Sequence, residues 1–167
     1  MPMTGRQDFD RIVMDHGAMI KRIASSYEAD GSLAEELVQE IYFAVWRALP
    51  GFRGDSSVRT FVARIATNRA ITHVARALKL PPSLELNEKI PSAGDNPEGQ
   101  TIAADRQAGL MAAVQRLPLS YRQIVTLTLE GLTPKEIADF LGLSINAVGI
   151  RLSRARELLR RQMGDMP

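Results

Sequence analysis

Apolar residues recur along this chain at three- and four-residue intervals, the period of an amphipathic helix, and no segment alternates in the manner of a strand. Leu33, Leu37, Ile41, Val45 and Leu49 form one stripe, widened by Val38, Tyr42 and Trp46. Ser32 followed by Glu35 reads as a capping box that opens this helix, and Pro50-Gly51 closes it. An earlier stripe through Phe9, Ile12, Val13, Met19, Ile20 and Ile23 predicts a helix over 8–28. A later one through Val58, Phe61, Val62, Ile65 and Ala66 predicts a helix continuing to about Leu78. The stretch PGFRGDSS between them is a loop.

The pattern breaks over residues 79–95, KLPPSLELNEKIPSAGD, where Pro81, Pro82, Pro91 and Gly94 stand among polar residues. This reads as a flexible linker between two domains, 1–78 and 96–167. Fully extended it spans about 55–60 Å, so the two halves need not touch. Asn96-Pro97 restarts the chain as an N-cap followed by proline at the first helical position. Helices are predicted at about 97–116, 120–130, 134–141 and 145–162. Ser120 with Gln123 is a second candidate capping box, and Thr133-Pro134-Lys135-Glu136 is the strongest start signal in the chain. The expected fold class is all-α, two small helical domains joined by a flexible linker.

Composition narrows the chemistry. The 45% of hydrophobic residues supports packed cores rather than disorder. The absence of cysteine excludes disulfides, thiolate metal sites and cysteine nucleophiles. No apolar run approaches the roughly 20 residues that span a membrane, and the opening MPMTGRQDFDRIV lacks the apolar region of a signal peptide. The expectation is a cytoplasmic protein with no membrane insertion. The formal net charge of +2 conceals an uneven distribution. Residues 81–110 carry Glu85, Glu88, Asp95, Glu98 and Asp105 against Lys89 and Arg106. Residues 151–161 carry Arg151, Arg154, Arg156, Arg160 and Arg161 against Glu157 alone. Such a basic segment is the electrostatic footprint of a nucleic-acid binder, and also an ordinary solvated helix face.

The stretch LTPKEIADFLGLSINAVGIRLSRARELLR decides in favour of the former. Ile137, Ala138 and Leu141 give a first helix an apolar face, Gly142 supplies a turn at positive φ, and Leu143 fills the corner. Ser144 caps a second helix that Val148 and Leu152 anchor, leaving Asn146, Gly149, Ile150, Ser153 and Arg154 on or near the outer face. This is the layout of a helix-turn-helix whose second helix enters the major groove. Its arginines suit phosphates or guanine edges.

The first half narrows the kind of DNA binder. AEELVQEIYFAVWRALPGFRGDSSVRTFVARIATNRAI (34–71) resembles region 2 of a bacterial sigma factor of the extracytoplasmic-function group in the sigma-70 family. RLPLSYRQIVTLTLEGLTPKEIADFLGLSINAVGIRLSRARELLR resembles region 4 of that group. The resemblance implies a non-enzymatic promoter-specificity subunit of core RNA polymerase. It also implies contacts to the largest-subunit clamp helices and the beta flap, promoter DNA as ligand, control by an anti-sigma factor, and no cofactor or metal.

Residue by residue, the resemblance implies that Glu36, Gln39, Glu40 and Arg47 bind the core polymerase. Phe52, Arg53, Asp55, Ser56, Arg59, Phe61, Arg64, Asn68 and Arg69 correspond to the surface that captures the minus-ten element. Stacking on Phe52, base reading by Arg53, Asp55, Ser56 and Asn68, and phosphate contacts by Arg59, Arg64 and Arg69 match that chemistry. Ser144, Asn146, Gly149, Arg151, Ser153 and Arg154 correspond to the surface that reads the minus-thirty-five element. The chain departs from the family pattern at Phe61, where a tryptophan is usual, at Thr72, where an aspartate is common, and at Gly149, where relatives often carry lysine or arginine.

Three other readings are weaker. A receiver-type regulator needs alternating strands and helices with clustered aspartates, a helical enzyme needs convergent catalytic groups, and a di-metal bundle needs Glu-x-x-His pairs that His16 and His73 do not supply. A two-domain helix-turn-helix regulator that is not a polymerase subunit is the remaining alternative.

Overall fold

The structure is a computed structural model that describes residues 5–79 and 102–164. The linker at 79–95, apart from Lys79, and the Asn96-Pro97 start lie outside the described residues. The chain divides into two compact helical units.

The first unit is built from α1 (Arg6–Tyr27), α2 (Gly31–Ala48), a 3-10 turn (Leu49–Gly51) and α3 (Val58–Ala77). Its core follows the predicted stripes of α1 and α2 in part, whereas on α3 the predicted Val58, Phe61 and Ile65 are only half-buried. Ile12, Met19, Ile20 and Ile23 of α1 meet Leu37, Ile41 and Val45 of α2, all fully buried. On α3 half of the buried residues are alanine, Ala63, Ala66, Ala70 and Ala75, and the others are threonine and valine. Small side chains there let three helices pack closely without a large apolar payload on α3. Glu28, just past α1, ties the unit together. Its Oε1 lies 2.8 Å from His73 Nε2 on α3, and its Oε2 accepts from the Asp30 backbone N–H at 3.1 Å.

The start of α2 differs from expectation. Asp30, in extended backbone, is the N-cap and accepts from the Leu33 N–H at 3.0 Å, while Ser32 already lies within the first turn. A carboxylate at this position also faces the positive end of the helix dipole, which favours it over a hydroxyl. The apolar stripe differs too. Leu33 and Trp46 are exposed, Trp46 by 44%, because their positions fall outside the arc of α2 that faces α1 and α3. Trp46 nonetheless meets Phe9 of α1 edge to face, with ring centroids 5.4 Å apart.

The second unit comprises α4 (Ile102–Arg116), α5 (Leu119–Leu129), α6 (Pro134–Leu141) and α7 (Ile145–Gly164). Val114, Leu117, Val125 and Ala155 form one buried cluster, with Leu110, Tyr121, Leu152, Leu158 and Leu159 packed around it. The Thr133 capping box forms as expected, with both reciprocal bonds at 3.1 Å. The Ser120–Gln123 box does not. Leu119, almost fully buried, draws the start of α5 one residue earlier, so that Pro118 is the N-cap and Ser120 falls inside the first turn.

Arg122 explains how α4 ends. It is only 1% exposed, and its Nη2 donates to the carbonyls of Gln115 and Leu117, the latter at 2.9 Å. A buried guanidinium thus satisfies the carbonyls that a helix C-terminus leaves open, and its charge opposes the negative end of the dipole. The α6–α7 turn follows expectation. Gly142 sits at φ 68°, ψ 33°, the Leu143 N–H returns to the Ala138 carbonyl at 3.0 Å, and Ser144 Oγ accepts from the Ala147 N–H at 3.0 Å. Left-handed backbone at Gly142 costs a glycine little and makes the sharp reversal between the two helices possible.

Candidate nucleic-acid interface

Three surfaces carry the residues singled out from the sequence. The first is the outward face of α2, where Glu36, Gln39, Glu40 and Arg47 are all exposed. Positions 36, 40, 43 and 47 follow one another at four- and three-residue steps and therefore lie in one row. Phe43, which the sequence motifs did not single out, stands in the middle of that row at 58% exposure. The Arg47 guanidinium lies 5.8 Å from the centroid of its ring, within the range of a cation–π contact. The signal for Phe43 was its spacing from Glu40 and Arg47. An aromatic on a helix is more often core, and only the packing reveals this one as surface.

The second surface joins the loop after α2 to α3. Phe52 is held by its backbone N–H, which donates to the Leu49 carbonyl at 3.1 Å. Its ring packs on that of Phe61, with centroids 4.7 Å apart and planes tilted by 49°. Both rings are half-buried, so the pair is neither a sealed core plug nor a free surface aromatic. Gly54, at φ 80°, turns the chain beyond them and leaves Arg53 and Asp55 exposed. Ser56 is half-buried and its hydroxyl donates to the Ser57 carbonyl at 3.3 Å. Ser57 caps α3, accepting from the Thr60 N–H at 3.1 Å. The Ser57 cap fixes where α3 begins and hence which of its residues face the loop.

Along α3, positions 61, 64, 68 and 72 share one face. Phe61 and Arg64 are half-buried and Asn68 is exposed, so the amide of Asn68 is not a packing group. Thr72 stands where the resemblance led to an aspartate, and its hydroxyl donates to the Asn68 carbonyl at 3.0 Å. Arg69 is half-buried on the flank of this face. Arg59 is exposed but lies roughly 160° around α3 from Phe61, and its charge is felt by His16 of α1. The structure therefore brings Phe52, Phe61, Arg64 and Asn68 together and separates Arg59 from them. His16 is half-buried with its Nδ1 enclosed and unpartnered, and its pKa is lowered by burial, with Asp15 opposing and Arg59 adding to the shift.

The third surface is the outer face of α7. Ser144, Asn146, Gly149, Ser153 and Arg154 are exposed, while Arg151 is half-buried at the edge nearer the core. Val148 and Ala155, both essentially buried, pin the opposite face. A methyl group at position 149 would meet no other atom within 4 Å, so the helix surface there is open. Farther along, Glu157 approaches Arg160 at 3.7 Å and Arg161 at 3.5 Å, all three side chains well exposed. Exposed pairs of this kind contribute little to stability, and they leave most of the positive charge of the helix unspent.

An aromatic platform beside arginine and amide groups suits unstacked bases, and an exposed, basic second helix of a helix-turn-helix suits duplex DNA. The chain thus carries two separate surfaces whose chemistry suits nucleic acid. The sigma-70 region 2 family model matches residues 12–79, and the sigma-70 region 4 model matches residues 107–159. The chain is 30% identical over 161 residues to the ECF RNA polymerase sigma-E factor of Escherichia coli K12, covering 90% of this chain and 84% of that protein. It is 36% identical over 164 residues to the ECF sigma factor SigG of Mycobacterium tuberculosis, covering 83% of this chain but 44% of SigG.

Among solved structures, CnrH in complex with the cytosolic domain of CnrY is similar at a TM-score of 0.67 and 25% identity, over 97% of this chain and 92% of that one. The sigma factor RpoE of Bartonella quintana, in complex with the anti-sigma factor NepR, shares the fold at a TM-score of 0.70 and 17% identity, over 97% and 100% of the two chains. The chain belongs to the extracytoplasmic-function group of the sigma-70 family and is an RNA polymerase sigma factor, a subunit that performs no catalysis of its own. Among the described residues, no helix is long and apolar enough to cross a membrane.

Proposed function

We propose that the two halves divide promoter recognition between them, residues 1–78 binding core polymerase and the minus-ten element and residues 96–167 reading the minus-thirty-five element. The row Glu36, Glu40, Phe43 and Arg47, with Gln39 beside it, docks on the clamp helices of the largest subunit. A mixed acidic, aromatic and basic row on a straight helix is the kind of surface that packs along another helix. Phe52 and Phe61 form the wall against which a base flipped from the nontemplate strand stacks. Asn68 and the exposed groups of the loop, Arg53 and Asp55, read its edge, and Arg64 and Arg69 hold the backbone. The energy for opening the duplex comes from contacts that only the unpaired strand makes. The second half docks on the beta flap and sets α7 in the major groove.

The observation that carries this reading is the Phe52–Phe61 pair, half-open to solvent beside Arg64 and Asn68. Control by an anti-sigma factor is supported by the two similar solved chains, one bound to NepR and the other to the cytosolic domain of CnrY. The protein acts in the cytoplasm, where its polymerase is. The test is transcription from genomic fragments by purified core polymerase with and without the chain. Promoter-specific transcripts that depend on the chain, and are lost on Phe52→Ala with core binding intact, are expected. Loss of core binding by the same variant would remove Phe52 from the DNA surface.

A further inference from the structure

The centre of the α7 outer face is apolar. Ile150 is 46% exposed, at the middle of the arc opposite Val148 and Ala155. Asn146 stands one turn before it, Ser153 and Arg154 one turn after, and all three are exposed polar groups. On one side its neighbour is Gly149, which has no side chain and open space around it. A β-branched side chain thus stands alone in the middle of a polar reading face. Apart from Gly149, each of the residues expected to read DNA here offers hydrogen bonds or charge, and the Ile150 side chain offers neither. The major groove presents one apolar group that such a side chain can recognise, the C5 methyl of thymine. The bare backbone at Gly149 lets this part of the helix come close to the base edges.

We infer that Ile150 specifies a thymine in the minus-thirty-five element by packing against its methyl group. The inference rests on the assignment of α7 to that element. It makes sense of the missing side chain at 149: a lysine or arginine there would hold the helix away at phosphate distance, whereas glycine permits the apolar contact. Ile145, at the start of α7, is also exposed, but it lies roughly 140° around the helix from Ile150 and so faces a different direction.

The experiment uses the reconstituted holoenzyme on a promoter mapped from its own transcripts. Each thymine of the minus-thirty-five element, on either strand, is replaced singly by deoxyuridine, which removes the methyl and nothing else. Promoter occupancy is then measured for the unchanged chain, Ile150→Ala and Ile145→Ala, with helix content checked by circular dichroism. One deoxyuridine position is expected to weaken the unchanged chain about three- to fivefold, the worth of one buried methyl. The same position is expected to leave Ile150→Ala unaffected and Ile145→Ala as sensitive as the unchanged chain. Silence at every thymine, or a deoxyuridine penalty that persists in Ile150→Ala, would overturn the inference. Scrambling the whole element separates the two levels. If scrambling abolishes occupancy while every deoxyuridine is silent, Ile150 alone is misassigned; if scrambling changes nothing, the minus-thirty-five assignment of α7 fails and the inference falls with it.

Discussion

The rings of Phe52 and Phe61 lie 4.7 Å apart at a 49° tilt, joining the loop after α2 to the first turn of α3. The contact makes one residue's packing the other's orientation. Each ring limits the angles open to the other, and both remain half-buried. Aromatic pairs in this geometry contribute about 0.5–1.5 kcal/mol beyond the area they bury.

Phe61→Ala is therefore expected to reduce open-complex formation about fivefold or more, since stacking on an aromatic contributes about 1–3 kcal/mol per base. Phe61→Trp enlarges the platform and is expected to retain or raise it. Permanganate footprinting of the minus-ten region measures both. Equal melting by Phe61→Ala and the unchanged chain would show that the pair serves packing alone.

On α2, Phe43 is the most exposed of the large hydrophobic residues, at 58%. Phe43→Ala is expected to leave the unfolding midpoint nearly unchanged and to weaken core-polymerase binding at least about fivefold, as for a central aromatic anchor. Glu40→Lys, one turn away, tests the acidic part of the same row and is expected to act in the same direction. Titration of core polymerase with fluorescently labelled chain reads both, and full affinity in both variants would move the docking face elsewhere.

Gly149 lies in a helix with open space around it. Gly149→Ala is expected to stabilise the second unit by about 0.5–1 kcal/mol through helix propensity alone. Gly149→Arg is expected to raise nonspecific DNA affinity and to steepen its salt dependence by about one unit of log–log slope. Binding unchanged across salt would take position 149 out of the interface.

His16 makes the first unit sensitive to acid. Burial lowers its pKa below the ordinary 6.5, Arg59 pushes the same way, and Asp15 opposes. Between the lowered value and 6.5 the unfolded chain binds more protons than the folded one, so stability falls as pH drops below about 6.5 and levels off once the folded value is passed. His16→Gln is expected to flatten this part of the profile. Urea unfolding followed by Trp46, the single tryptophan of the chain, between about pH 7.5 and 5.5 reports on the first unit. Parallel profiles for the two proteins would show that other groups carry the dependence.

Some of this was legible in the residues because its causes are local. The seven α-helices of the described residues follow from three- and four-residue periodicity. The Thr133 capping box and the Gly142 turn follow from contacts within three to five residues. The membership of the family followed from two motifs in order, with the helix-turn-helix needing no distant contact to be recognised. Local signals also misled where two were available at once. Asp30 and Ser32 both suit a cap, and the outcome depends on where the packing of Leu37 against the core sets the helix start.

Residue order alone thus specifies the helices, their succession and the two chemistries, a basic reading helix and an aromatic, arginine-bearing loop. Which way each side chain faces is settled only when the helices pack. Arg122 is buried over the end of α4 rather than solvated, and Phe43 lies outside the core. The reason is that periodicity identifies an apolar arc on a helix but not how much of it the neighbours cover. That is decided by the volume of side chains on the other helices, and for the first unit by the alanines of α3, which bring the bundle close enough to leave Trp46 and Phe43 on its rim.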